Sequence, residues 1–134
     1  MEKFIDKVFG EMEYKHSWTK KEAFLFLDKA YVVNIVAQAY KGDVILESQQ
    51  LNYTSYKKIL EDNYDKIVEK LNEYCKSNFD TEVSLDKYLI PKTIIFERDG
   101  SWGILFDTDY DTENGIAVFF IKEKIKIGSQ DLFL

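Results

Sequence analysis

Four carboxylates at alternate positions, Asp107, Asp109, Asp111 and Glu113, make the stretch DTDYDTENG over residues 107–115 the first place to look for chemistry in this sequence. Carboxylates spaced in this way can converge on a hard cation such as Ca²⁺. The stretch opens like an EF-hand loop and then departs from it. Thr112 stands at the sixth position, where glycine makes the sharp turn, and Val118 at the twelfth, where a bidentate glutamate belongs. Its flanks also read as strands rather than helices. Two other roles fit the same residues: an acidic surface for a partner, with Tyr110 as an aromatic anchor, and a solvated turn, since Asp and Asn favour turns for local reasons. Acid–base work on a glycosidic bond needs two carboxylates held apart in a cleft, and nothing in the sequence marks a cleft.

The other reactive side chains stand alone. His16 is the single histidine; beside Ser17 and Trp18 it reads as an exposed loop residue. Cys75, the single cysteine, follows Leu71 by four residues and reads as a buried structural thiol. Gly100 and Gly103 make no phosphate loop, because no helix follows them to present free N–H groups. No Walker, Rossmann, HExxH, GxSxG or CxxC pattern occurs. The chain is therefore expected not to be an enzyme, and no cofactor or metal is assigned to it.

Charge narrows the choice of partner. The net charge is -6, and a single arginine, Arg98, stands among 18 basic residues. Arginine supplies the bidentate grip on phosphate and guanine, so nucleic acid is not expected as a partner. Residues 97–115 carry six carboxylates against Arg98, a local balance of -5. Glu97 and Asp99 are expected to add to the potential of the 107–113 loop. No apolar run approaches the ~20 residues of a membrane helix, and the N-terminus has no signal-like stretch. One cysteine excludes an internal disulfide. The expected location is the cytoplasm, away from the membrane.

The elements that must carry these residues follow from periodicity. The 134 residues are 46% hydrophobic, enough for a self-sufficient core in one domain over 1–134. Residues 4–14 hold a short strand broken at Gly10. Residues 22–27 and 31–40 are rich in β-branched and aromatic side chains, with a turn at Asp28-Lys29. Leu51, Tyr56, Leu60, Tyr64, Ile67, Leu71 and Cys75 recur at helical spacing, predicting one helix that Ser48 or Asp43 caps and that ends near Asn78. A helical turn is expected at 84–87. Strands follow at 92–98, 101–107, 115–121 and 124–127, with Asp99-Gly100 and Lys122-Glu123 as hairpin turns. The fold expected is α+β: a mostly antiparallel, curved sheet of six to seven strands with one long helix packed on one face.

Residues 24–27, 31–36 and 116–121 do not alternate apolar with polar, so both faces of the sheet need cover. Sheet curvature, the chain's own loops, a second copy or a partner could supply it. The apolar end, Leu132, Phe133 and Leu134, is expected to pack somewhere.

VFGEMEY at residues 8–14, AYKGDVI at 39–45, LFDTDYDTENGIAV at 105–118 and IGSQD at 127–131 resemble a family of small uncharacterised bacterial proteins. Some members of that family are candidate immunity proteins of toxin systems. The resemblance spans nearly the whole chain, implies an α+β fold and transfers no catalytic residue. It implies a protein-binding module that neutralises a toxin domain. A basic partner of that kind would meet the acidic loop Asp107, Asp109, Tyr110, Asp111 and Glu113. The alternatives are a self-associating structural domain, with a homodimer as the assembly, or a small-ligand or cation-binding protein.

Overall fold

A computed structural model describes residues 3–79, 89–109 and 111–133, and among these described residues the chain forms eight strands and two helices. The strands are β1 (Lys3–Asp6), β2 (Gly10–Tyr14), β3 (Trp18–Phe26), β4 (Lys29–Ala37), β5 (Ile90–Phe96), β6 (Trp102–Asp107), β7 (Ile116–Ile121) and β8 (Lys124–Gly128). Helices α1 (Glu47–Asp62) and α2 (Tyr64–Phe79) lie between β4 and β5, and a 3₁₀ turn (Gln130–Leu132) follows β8. The strands form one open sheet in chain order. Every neighbouring pair is antiparallel except β4 and β5, which run parallel because the helical crossover separates them. The architecture is α+β, as the hairpin signals indicate.

The sheet has one strand more than the six to seven expected, because residues 4–14 form a hairpin. Asp6 Oδ2 accepts hydrogen bonds from the Val8 and Phe9 backbone N–H groups at 2.9 Å each. Gly10 then takes φ +84°, which turns the chain back. The expected single helix is two. At Asn63 (φ −111°, ψ 11°) the side-chain amide donates to the Ile59 carbonyl at 2.8 Å and competes with the helical pattern. The ladder resumes where Ile67 N–H donates to the Asn63 carbonyl at 2.9 Å.

Neither Ser48 nor Asp43 caps α1. Asp43 closes the preceding turn by accepting from Tyr40 N–H at 3.0 Å. Gln49 Oε1 instead accepts from Leu46 N–H at 2.8 Å, and Gln49 Nε2 donates to the Gln38 and Phe96 carbonyls at 2.9 Å each. This buried glutamine fastens the start of α1 to β4 and β5. The helical turn expected at 84–87 lies outside the described residues.

Period-2 alternation sorts the sheet into two faces. Phe24, Phe26, Val33, Ile35, Ile94, Phe96, Ile104, Phe106 and Val118 are buried in one core with Tyr56, Ile67, Leu71 and Cys75 of the helices. On the other face a smaller cluster of Leu105, Ala117 and Phe119 is covered by the chain's last described residue, as its apolar character predicts. Phe133 stacks on Phe119 with ring centroids 4.8 Å apart. Gln130 Nε2 donates to the Phe106 carbonyl at 2.9 Å, pinning the 3₁₀ turn in place. That cover stops short of β3 and β4, where Leu25 is 72% and Val32 70% exposed.

Candidate functional site

The acidic loop connects β6 to β7. Asp107, Asp109 and Glu113 are exposed, and none of them forms an ion pair among the described residues. Asp111 is half-buried and works locally: its Oδ1 accepts from Asn114 N–H at 3.0 Å, and its carbonyl accepts from Gly115 N–H at 2.9 Å. Tyr110 lies outside the described residues. Gln130 N–H donates to the Asn114 carbonyl at 3.3 Å, which sets Asp131 beside the loop. Among the described residues no group of three or more His, Cys, Asp or Glu is placed to hold a metal ion.

Glu97 and Asp99 do not join this surface. Asp107 pairs with Ile90 at one end of the β5–β6 hairpin and Trp102 with Phe96 at the other. The strand between them separates the two groups by ~17 Å. Asp99 Oδ1 accepts from the backbone and hydroxyl of Ser101 at 2.9 and 2.6 Å, closing the turn, and these bonds hold its carboxyl below the ordinary range. Glu97 is 8% exposed, with Oε1 buried and without a hydrogen-bond partner. Burial, with help from the Asp99 charge, pushes its carboxyl up to about 7.

The spacing of β3 builds a polar cluster that the sequence reading passes over. Glu22 shares its face with Phe24 and Phe26 and so points at α1. Tyr53 and Tyr56, three apart on the helix, donate their hydroxyls to Glu22 at 2.5 Å each. Lys20 Nζ donates to Tyr53 Oη at 2.7 Å and to the Phe9 carbonyl at 2.5 Å. Lys57 Nζ stands 4.0 Å from Glu22. Burial acts to raise the Glu22 carboxyl, but the two hydroxyls and two lysines outweigh it and hold the group below its usual range. Burial and the Glu22 bonds push both tyrosines above theirs. The Glu22 carboxyl is shifted down and the two tyrosines up, both away from neutrality, so the cluster clamps a charge in place. The signal in the sequence was a lone carboxylate on the apolar face of a strand.

The same cluster holds a strand edge open. Pairing of β2 with β3 ends at Glu13–Thr19, because Lys20 and the Phe9–Tyr53 stack (centroids 4.3 Å apart) draw the β1–β2 hairpin over the helix. The β3–β4 hairpin closes through Leu27 and Asp28, both at positive φ (51° and 64°), one residue earlier than the expected Asp28-Lys29. In a two-residue hairpin the flanking pair is hydrogen-bonded and the pattern alternates from there. The backbone N–H and C=O of Phe26, Phe24, Glu22 and Lys20 therefore point at β4. Those of Lys21, Ala23 and Leu25 point away, where no strand among the described residues pairs with them. Beside this edge runs a groove of about 670 Å³, floored by Phe24, Phe26, Ile67 and Ile104 and walled by Lys57, Leu60, Glu61 and Tyr64 of the helices.

His16 is exposed at φ 63° in the β2–β3 turn, and Cys75 is fully buried, its thiol raised by that burial. Among the described residues no helix is long and apolar enough to cross a membrane. Comparison with family models, with curated proteins and with solved structures finds no match to this chain.

Proposed function

We propose that this chain is a protein-binding module that takes a polypeptide onto the open edge of β3. The observation that carries this reading is the row of outward-facing backbone groups on Lys21, Ala23 and Leu25, beside an apolar groove of about 670 Å³. Exposed edges are templates for an added strand: main-chain hydrogen bonds supply affinity and the flanking pockets supply selectivity. Exposed Leu25 and Val32 extend the apolar contact to the second face of the sheet.

Ala23→Pro tests it. Proline removes an N–H that faces away from β4, a position edge strands tolerate. Bait protein with and without this change is used for capture from the native host, with circular dichroism confirming the fold. Loss of the captured chain from Ala23→Pro is the expected outcome. Capture unchanged by Ala23→Pro overturns the reading.

A second reading rests on Asp107, Asp109 and Glu113, exposed and without ion pairs among the described residues. Their field would steer a basic partner, such as the toxin domain of a competition system, toward that end of the sheet. Asp109→Lys in the same capture experiment separates the two surfaces. Loss there with retention in Ala23→Pro moves the interface to the loop.

A further inference from the structure

Resting on the edge reading, we propose that the occupant of the β3 edge is a second copy of this chain, paired antiparallel through a two-fold axis near Phe24. A two-fold interface joins a patch to itself, so the patch must be self-complementary. This one is. Along β3 the exposed edge begins at Lys21, passes through Ala23 and Leu25, and ends at Asp28 in the turn. Turned about its middle, that order sets positive against negative at both ends and apolar against apolar between them.

The hydrogen-bond register agrees. With the axis at Phe24, Ala23 of each copy faces Leu25 of the other, and both residues present their N–H and C=O outward. Lys21 then falls beside the Leu27–Asp28 turn of the second copy. That turn leads the chain away into β4, so it clears the site at Thr19 that β2 already occupies. A register centred further toward Lys21 would drive the turn into β2.

The helix layer repeats the pattern. Lys57 and Glu61, one turn apart, both line the groove, with Leu60 between them. The same axis turns α1 antiparallel to its copy, directing Lys57 of each toward Glu61 of the other and Leu60 toward Leu60. A foreign segment could match the edge, but only a second copy answers the edge and the helix wall at once.

Sedimentation velocity over a concentration series reads the association, and amide exchange reads its place. A dimer is expected whose Ala23 and Leu25 amides gain protection as concentration rises. Ala23→Pro abolishes it. Glu61→Lys, on an exposed helical face, sets like charges together at two symmetric contacts and weakens it about tenfold. Adding Lys57→Glu to Glu61→Lys restores the pairing. A chain that stays monomeric to about 0.5 mM, far above the micromolar dissociation constants of specific pairs, overturns the proposal. So does a dimer indifferent to both Ala23→Pro and Glu61→Lys. A monomer that still captures a host protein, and loses it on Ala23→Pro, overturns the second copy while leaving the edge reading intact.

Discussion

Glu97→Gln is expected to stabilise the protein in a manner that depends on pH. The Glu97 carboxyl is buried, its Oε1 has no partner, and it sits near the Asp99 charge. In the unfolded chain it titrates at an ordinary 4.5, and in the folded protein at about 7. A carboxyl raised in this way favours folding while it is protonated. That contribution is fully present below about pH 4.5 and is lost as pH rises through about 7. Each tenfold displacement of the proton equilibrium is worth about 1.4 kcal/mol, so the loss reaches about 3 kcal/mol above pH 8. Glutamine keeps the shape and never ionises. Urea unfolding of both proteins from pH 4.5 to 8.5 isolates the effect, since every other titrating group is common to the pair. The stability difference should lie near zero at the acid end and grow to about 3 kcal/mol in favour of Glu97→Gln at the alkaline end. A difference that stays constant across this range would refute the assignment of an uncompensated carboxylate.

Gln49→Leu should cost about 3 kcal/mol in a denaturant titration, because Leu46 N–H and two backbone carbonyls lose a partner inside the protein. Asp111→Ala should cost about 1 kcal/mol by removing the acceptor for Asn114 N–H, while Asp109→Ala stays within about 0.5 kcal/mol. A thermal melt of the two variants side by side distinguishes a turn-forming carboxylate from a free one.

Much of the sheet was legible because its signals are local. β3 and β4 announce themselves by β-branched and aromatic runs, and Asp99-Gly100 by its turn chemistry, with Gly100 at φ +92°. Of the apolar end, the packing of Phe133 was legible, whereas Leu132 is 70% exposed and Leu134 lies outside the described residues. What escaped depends on distant contacts. Leu51 fits the helical stripe yet is 61% exposed, because α1 turns Gln49, Tyr53 and Tyr56 toward the sheet instead. The open edge of β3 exists because Lys20 reaches residues 11 and 33 positions away in sequence. The acidic loop was visible as a charge pattern, but the placement of Glu97 and Asp99 at the far end of the hairpin needed the strand register.

The sequential strand order leaves this molecule with one seam. Among the described residues six of the seven ladders join strands linked by a turn or a short loop, and only the four-residue match of Asn34–Ala37 with Thr93–Phe96 joins strands separated by the helices. Loop-closure entropy is concentrated there, because this pairing spans the longest separation in sequence between neighbouring strands. Gln49 bridges the Gln38 and Phe96 carbonyls across that junction, so one side chain rivets the two meanders, β1–β4 and β5–β8, to each other and to the first turn of α1.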